Sequence, residues 1–150
     1  MLEAALRTAA DWLTGEDVQE IDFVAVRGLD GVKEATVNVG GLELKAAITS
    51  GLGNARKILE KIRKGEAEYH IIEIMACPGG CLNGGGQPFV ADQADTLEKR
   101  KQAIYQIDKD KPIRKSHLNP DIIKLYDEYL GKPGSEKAHH LLHTSYKARK

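Results

Sequence analysis

The chain has 150 residues, of which 41% are hydrophobic and 29% charged, and this composition predicts one folded globular domain of modest size. Its 22 basic and 22 acidic residues leave no net charge to attract nucleic acid, and no apolar run approaches the roughly 18 residues of a membrane-spanning helix. The two cysteines are too few for a disulfide framework, so we expect a reducing, cytoplasmic setting.

Charge is distributed unevenly along the chain. Residues 1–91 contain 9 basic and 13 acidic residues. Residues 92–150 contain 13 basic and 9 acidic residues, together with four of the five histidines. Because the composition changes just after a glycine-rich stretch, the sequence predicts two modules, residues 1–91 and residues 92–150.

The first module opens with a helix pattern and continues with strand patterns. Apolar residues recur at helical spacing over Leu2–Leu13, and Gly15 suits the end of that helix. Ile21–Val26 alternates and is rich in β-forming residues, which predicts a strand. Val32–Val39 and Leu42–Thr49 flank a pair of glycines, which predicts a β-hairpin because both turn residues need positive φ.

The next elements continue an α/β pattern. Asn54 is a candidate cap for a helix that runs to about Lys64. Tyr69–Ala76 is short and nearly continuously apolar, which predicts a strand covered on both faces. Three further helices are predicted, from the capping box Asp95-Thr-Leu-Glu98 to Ile107, from Asn119-Pro120 to Gly131, and from Ser135 to His143. The predicted fold is therefore α/β, one lobe of a mixed β-sheet flanked by helices, followed by a helical C-terminal extension.

Both cysteines lie in one glycine-rich loop after the predicted strand Tyr69–Ala76. Cys77 and Cys81 are accompanied by Pro78 and by five glycines, Gly79, Gly80, Gly84, Gly85 and Gly86. Proline and glycine exclude a regular helix, and glycine leaves backbone N–H groups and space for a bulky group. In α/β folds, binding sites lie at the carboxyl ends of strands, which is where this loop begins.

The cysteine pair admits four interpretations. Cysteines buried only for packing need no glycine-rich loop. A redox disulfide usually has a two-residue spacer at a helix start, and a zinc site needs four ligands, whereas the histidines lie far along the chain. A pair of iron–sulfur ligands fits the soft thiolates and the glycines best, with the remaining ligands supplied elsewhere.

The residues around the cysteines resemble a known family. Glu73 to Pro88 resembles the third signature motif of the iron-only hydrogenases. The resemblance extends over nearly the whole chain, to Ala25-Val-Arg-Gly28, Lys33-Glu-Ala35, Ser50-Gly-Leu-Gly-Asn-Ala-Arg56, Leu125-Tyr-Asp-Glu-Tyr-Leu-Gly131 and Glu136-Lys-Ala-His-His-Leu-Leu-His-Thr144. It implies a catalytic-domain lobe over residues 1–91 and a small-subunit-like segment over residues 92–150.

The resemblance also implies roles for individual residues. Cys77 would ligate an iron of a [4Fe–4S] cubane, and Cys81 would ligate another and bridge to a two-iron subcluster, together the H-cluster. Met75 would pack against the two-iron centre, although a methionine in the protein core is an equal alternative. Glu73 lies two residues earlier on the same strand face, where a structural or solvated role outweighs one as a hydrogen-bond partner near the cluster.

The function implied for the complete enzyme is reversible reduction of protons to H2. Ferredoxin-type electron carriers, cluster-maturation proteins and the remainder of the catalytic domain are the implied partners. The other cysteine motifs of the family are absent, so we expect the C-terminal portion of a hydrogenase, truncated or one piece of a split enzyme, that is inactive alone. Some relatives are periplasmic. The alternative is an iron–sulfur relative resembling the nuclear prelamin-A recognition factor group, without the two-iron centre.

Three other motifs favour ordinary structural roles. Gly51-Leu-Gly53 opens a helix like half of a dinucleotide fingerprint, but Arg56 replaces the third glycine. His139 and His143 are spaced for one helix face, yet further metal ligands are lacking, which favours solvated histidines. The basic run Lys99–Lys101 is predicted to be an exposed helix face.

Overall fold

The computed structural model describes residues 1–28, 30–77 and 80–148, and within these ranges the side chain of Cys81 is not described. Contacts within the chain divide it into two units, Met1–Lys111 and Pro112–Lys150. The boundary between residues 91 and 92 inferred from composition stays a prediction. Within the described part of the chain, no helix combines the length and apolar character needed to cross a bilayer.

The first unit is built on a three-stranded mixed sheet. Its strands, in spatial order, are β1 (Val32–Val39), β2 (Leu42–Ser50) and β3 (Ile71–Met75). β1 pairs antiparallel with β2, and β3 pairs parallel with β2. The helices of this unit are α1 (Leu2–Thr14), α2 (Leu52–Arg63) and α3 (Gln93–Lys109). The predicted α/β class with a mixed sheet is confirmed.

The central strand β2 is buried on both faces near its carboxyl end, where all residues from Ala46 to Ser50 are buried. Ala46 and Ile48 belong to the main core with Leu2 and Leu6 of α1. Ala47 and Thr49, which alternate with them along β2, face the other side of the sheet. On that side α2 packs against β2 and buries Ile58 completely. The sheet therefore has a helix on each face, and its buried centre is β2.

A predicted hairpin turn and a predicted helix end are confirmed by the backbone. Gly40 and Gly41 have φ values of 58° and 85°, as a two-residue hairpin turn between β1 and β2 requires. Gly15 ends α1 in the left-handed region at φ 71°, and its N–H donates to the carbonyl of Asp11. A residue with a Cβ atom would have a strained backbone at these three positions, and glycine avoids that strain.

The predicted strand Ile21–Val26 is wrong. Residues 21–23 are irregular, and Val24–Val26 forms a single 3₁₀ turn. Side chains of α1 satisfy the backbone of this segment, because Arg7 donates to the carbonyl of Ile21 and Glu3 accepts from the N–H of Phe23. With those groups already bonded, β-forming residue types alone do not produce a strand here.

Three smaller predictions also need correction. The second helix begins at Leu52 with Gly51 as its cap, so Asn54 lies inside its first turn and donates to the carbonyl of Ser50. Helix α3 begins at Gln93, and its cap is Asp92, which accepts from the N–H of Asp95. The third strand is an edge strand rather than one covered on both faces, and its Ile74 is 46% exposed.

The second unit is helical, as predicted for the C-terminal extension. Helix α4 (Pro120–Leu125) continues into a π turn (Tyr126–Leu130), and α5 (Glu136–Leu142) follows. Asn119 caps α4 through the N–H of Asp121. Ser135 caps α5 through the N–H of Ala138, and its hydroxyl also donates to the carbonyl of Leu130. That second bond ties the start of α5 to the end of the π turn.

Candidate metal centre

The cysteine loop, residues 76–88, begins where β3 ends. Met75, the last residue of β3, lies in register with Ser50, the last residue of β2. The N–H of Gly51 donates to the carbonyl of Met75 at 2.8 Å, which holds the start of the loop beside the first turn of α2. The loop therefore lies at the carboxyl edge of the sheet, where α/β folds place their sites.

The first cysteine lies at a tight turn. The side chain of Cys77 is half-buried, and its carbonyl accepts from the N–H of Gly80 at 2.9 Å. Gly80 is buried and has φ 62°, and the 3₁₀ turn Gly80–Asn83 carries the backbone of Cys81. The side chain of Cys81, like all of Gly79, lies outside the described part of the chain. The two cysteine positions thus belong to one short turn.

The glycines of the loop have different surroundings. A Cβ atom at Gly80 would lie 2.6 Å from Sδ of Met75, so a side chain at this position would force Met75 to move. A Cβ at Gly84 would lie 3.9 Å from Sγ of Cys77, so the backbone of Gly84 passes close to the thiol. A Cβ at Gly85 or Gly86 would have no described atom within 4 Å, which leaves open space beside that backbone. The glycines therefore permit close approach to Cys77.

Met75 and Glu73 share one face of β3 and both line a cavity of about 220 Å³. Met75 also packs against the core of the first unit. Glu73 is largely buried and accepts from the N–H of Leu2 at 3.2 Å. That contact satisfies one of the N–H groups that the first turn of α1 leaves without a partner in the helix.

An ionic and aromatic group on the same cavity was not found from the sequence. Arg27 donates to both carboxylate oxygens of Glu3, and this hydrogen bonding raises the pKa of the Arg27 guanidinium. The same guanidinium lies over the ring of Tyr105, 4.4 Å from its centroid. Burial, followed by the charge of Glu3, raises the pKa of Tyr105. The motif Ala25-Val-Arg-Gly28 singled out Arg27, but nothing in the sequence indicates its partners.

Arg100 of α3 is a further functional candidate that the sequence did not indicate. Its Nη1 donates to the carbonyl of Leu82 at 3.1 Å, and its Nη2 donates to the carbonyl of Pro88 at 3.2 Å. The prediction that the run Lys99–Lys101 is an exposed helix face is therefore confirmed only at Lys99, because Arg100 and Lys101 are both half-buried. Lys99 is 73% exposed and pairs with Asp95, whereas Arg100 is half-buried against the cysteine loop.

His139 and His143 lie exposed on and just after α5, with ring centroids 4.5 Å apart in a stacked arrangement. Across residues 1–28, 30–77 and 80–148, no three His, Cys, Asp or Glu side chains are arranged to hold a metal ion.

The chemistry of the loop fits an iron–sulfur cluster in part. Cysteine thiolates are the usual ligands of such clusters, and free backbone N–H groups and the absence of side chains suit cluster sulfurs. The half-buried thiol of Cys77 beside the backbone of Gly84 has this character. A cubane takes about four cysteine ligands, so two cysteines leave its coordination incomplete.

Comparison with protein families gives two matches that together span most of the chain. Residues 1–85 match the family described as iron only hydrogenase large subunit, C-terminal domain. Residues 94–149 match the family described as iron hydrogenase small subunit. The first match contains both cysteines, and the second contains Arg100, which lies on α3.

Among curated relatives, the NADP-reducing hydrogenase subunit HndD of Solidesulfovibrio fructosivorans is 54% identical over 97% of this chain and 25% of its own length. Iron hydrogenase 1 of Clostridium pasteurianum is 40% identical over 98% of this chain and 26% of its length. The human nuclear prelamin A recognition factor is 35% identical over 95% of this chain and 31% of its length. The chain thus spans about a quarter of the length of these two curated hydrogenases.

Solved structures that resemble this chain are also hydrogenases. A variant of the [FeFe]-hydrogenase HydA1 from Chlamydomonas reinhardtii superposes with a TM-score of 0.74 at 40% identity, over 97% of this chain and 43% of that chain. At this identity and TM-score, the similarity extends to the fold of the matched region.

Proposed function

The chain belongs to the iron-only hydrogenase family, and we propose that it forms the C-terminal part of an enzyme that reversibly reduces protons to H2. The observation that carries this proposal is the cysteine loop. It places Cys77 at the carboxyl end of β3 within the residues matched by the large-subunit family. In this proposal residues 1–91 are a lobe of the catalytic domain, and residues 92–150 are the small-subunit-like segment.

The proposed role of the loop is to hold the iron cofactor. Cys77 and Cys81 would ligate two irons of a [4Fe–4S] cubane, and Cys81 would also bridge to the two-iron subcluster. When bound, that cofactor supplies the proton and electron chemistry, and the protein supplies ligation and a water-poor pocket. Gly79, Gly80, Gly84, Gly85 and Gly86 would keep side chains away from it. Met75 and Glu73 would line the neighbouring pocket, as they line the cavity beside β3.

The cofactor would be only partly ligated by this chain. Two cysteines leave the remaining ligands to the rest of the hydrogenase catalytic domain, which is the first partner we propose. Ferredoxin-type electron carriers and cluster-maturation proteins are the others, in the cytoplasm. We expect the isolated 150-residue chain to evolve no H2 after the same cluster maturation that is applied to the full-length protein. Detectable H2 evolution from that chain, measured by gas chromatography, would contradict this expectation.

A second candidate is a cluster protein without a two-iron centre. The 35% identity to the nuclear prelamin A recognition factor over 95% of the chain favours it. The 54% identity to a hydrogenase subunit over a similar share favours the first proposal. The full-length protein separates the two, because only a hydrogenase evolves H2 from reduced ferredoxin once it has been matured.

The ligand assignment is tested in the full-length protein with Cys77→Ser and Cys81→Ser. We expect each variant to lose most of its cubane iron, measured as iron per protein and as the electron paramagnetic resonance signal of the reduced cluster. Ala76→Ser is the matched control, since Ala76 is the exposed neighbour of Cys77. Wild-type iron content in both cysteine variants would refute the assignment.

A further inference from the structure

The cysteine loop is held from α3 by one side chain. The guanidinium of Arg100 donates to the carbonyls of Leu82 and Pro88, at 3.1 and 3.2 Å. These two carbonyls lie on either side of the glycines at positions 84–86. A single planar group therefore closes the glycine-rich part of the loop at both ends.

Outside the 3₁₀ turn Gly80–Asn83, the described part of the loop has few other backbone bonds to hold this shape. Within its described residues, the N–H of Gly80 donates to Cys77 at 2.9 Å, and that of Gln87 donates to Gly84 at 3.3 Å. Glycine-rich backbone loses more conformational entropy on ordering than any other. Two charge-assisted hydrogen bonds from a rigid fork are well suited to offset that loss.

The two lysines beside Arg100 pair with carboxylates of their own helix and not with the cysteine loop. Lys99 pairs with Asp95 and Lys101 pairs with Glu98, each at 2.6 Å along α3. Among the salt bridges of the described residues, none joins Arg100 to a carboxylate. Its donors are directed to the loop carbonyls instead, and its positive charge remains beside the loop.

We propose that Arg100 is a positioning residue for the metal centre, which rests on the proposed role of Cys77 and Cys81 as ligands. Arg100 belongs to the small-subunit match at residues 94–149, whereas the cysteines belong to the large-subunit match at residues 1–85. The small-subunit-like segment thus holds the cluster-binding loop in its ligating shape. Its positive charge also favours the reduced, more negative state of the cluster, because local charge sets cluster potentials.

The test uses the full-length protein loaded with the [4Fe–4S] cluster alone, in the variants Arg100→Gln, Arg100→Lys and Lys99→Gln. Lys99→Gln is the matched control, because it removes the same charge from the adjacent position without touching the loop. We expect Arg100→Gln to lose iron to a chelator about tenfold faster than the wild type, as the loss of charge-assisted hydrogen bonds requires. Its midpoint potential should become more negative.

Arg100→Lys keeps the charge but not the fork, so we expect faster iron loss with an unchanged midpoint potential. Lys99→Gln should match the wild type in both measurements. The inference is overturned if Arg100→Gln and Lys99→Gln release iron at the same rate. If Arg100→Gln does not accumulate, Arg100→Lys decides alone, and a wild-type rate overturns the inference. Intact iron in Cys77→Ser and Cys81→Ser would instead refute the proposed function.

Discussion

Gly80 brings the cysteine loop against Met75, the last residue of β3. At its φ of 62°, a residue with a Cβ would be destabilised by about 1–2 kcal/mol. That Cβ would also lie 2.6 Å from Sδ of Met75. We therefore expect Gly80→Ala to displace the turn around Cys77 and to reduce the iron content of the full-length protein. The control is Gly53→Ala in the first turn of α2, outside the cysteine loop, where a Cβ meets no described atom within 4 Å. Equal iron content in both variants would show that the close approach does not matter.

Tyr69 gives a pH-dependent prediction away from the metal centre. Burial, followed by the hydrogen bond from its hydroxyl to Glu34 at 2.7 Å, raises the pKa of Tyr69 to about 12. A raised pKa favours the protonated phenol in the folded state. The resulting stability is therefore complete below the unfolded pKa of about 10 and is lost as the pH rises towards 12.

The measurement is the alkaline titration of phenolate absorbance, taken as the difference between the wild type and Tyr69→Phe. We expect this difference to titrate near pH 12. Glu34→Gln removes the charged acceptor and should move the midpoint down, because the carboxylate contributes to the raised value. A difference centred near the ordinary pKa of about 10 would contradict the assigned contact.

The pairing of Arg7 with Asp108 connects the helices α1 and α3. Arg7 is 4% exposed, and its two terminal nitrogens donate to the two carboxylate oxygens of Asp108 at 2.8 and 2.9 Å. We expect Arg7→Met to lower the free energy of unfolding by about 2–4 kcal/mol, because buried charge-assisted bonds are lost. The readout is the denaturant midpoint of the full-length protein.

Arg56→Met is the matched control for this pairing. Arg56 is 80% exposed and pairs with Glu60 one turn along α2 at 3.1 Å. Exposed pairs of this kind contribute at most about 1 kcal/mol. If Arg7→Met and Arg56→Met lowered the denaturant midpoint equally, the Arg7–Asp108 pair would stabilise the fold no more than an exposed ion pair does.

Local patterns predicted elements well where local physics decides them. The hairpin followed from a Gly-Gly turn and the cap of α4 from Asn119-Pro120, since both depend on neighbouring residues. The prediction of a strand over Ile21–Val26 is wrong because Arg7 and Glu3, more than ten residues away, hydrogen-bond to the backbone of this segment. Edge exposure of β3 also depends on strand order, which no single strand encodes.

For the molecule as a whole, the position of the cysteine loop followed from strand order along the chain, because the carboxyl ends of parallel strands share one edge. The residues that hold the loop did not follow. Arg100 is indistinguishable in sequence from its neighbours Lys99 and Lys101, and only the fold brings α3 against the loop. Similarly, Arg27, Glu3 and Tyr105 meet through tertiary contacts that no motif records.

Helix α3 carries large apolar side chains that the rest of the unit Met1–Lys111 leaves exposed. Ile104 and Ile107 are 52% and 57% exposed, and α3 has no fully buried residue. The chain spans about a quarter of its hydrogenase relatives, at 25% and 26% of their lengths. We expect other parts of the hydrogenase to cover this helix, since exposed apolar surface of this kind marks a contact region.

This expectation is tested with Ile107→Ser in the full-length protein. If the isoleucine is buried there, the substitution should lower the free energy of unfolding by about 1.5–3 kcal/mol, the contribution of a buried apolar side chain. Gln102→Ser, at an exposed position of the same helix, should change it by less than about 0.5 kcal/mol. Because Ile107 has little cover within Met1–Lys111, any larger cost has to arise from residues outside that unit. Equal, small effects would mean that this face of α3 contacts solvent in the complete enzyme.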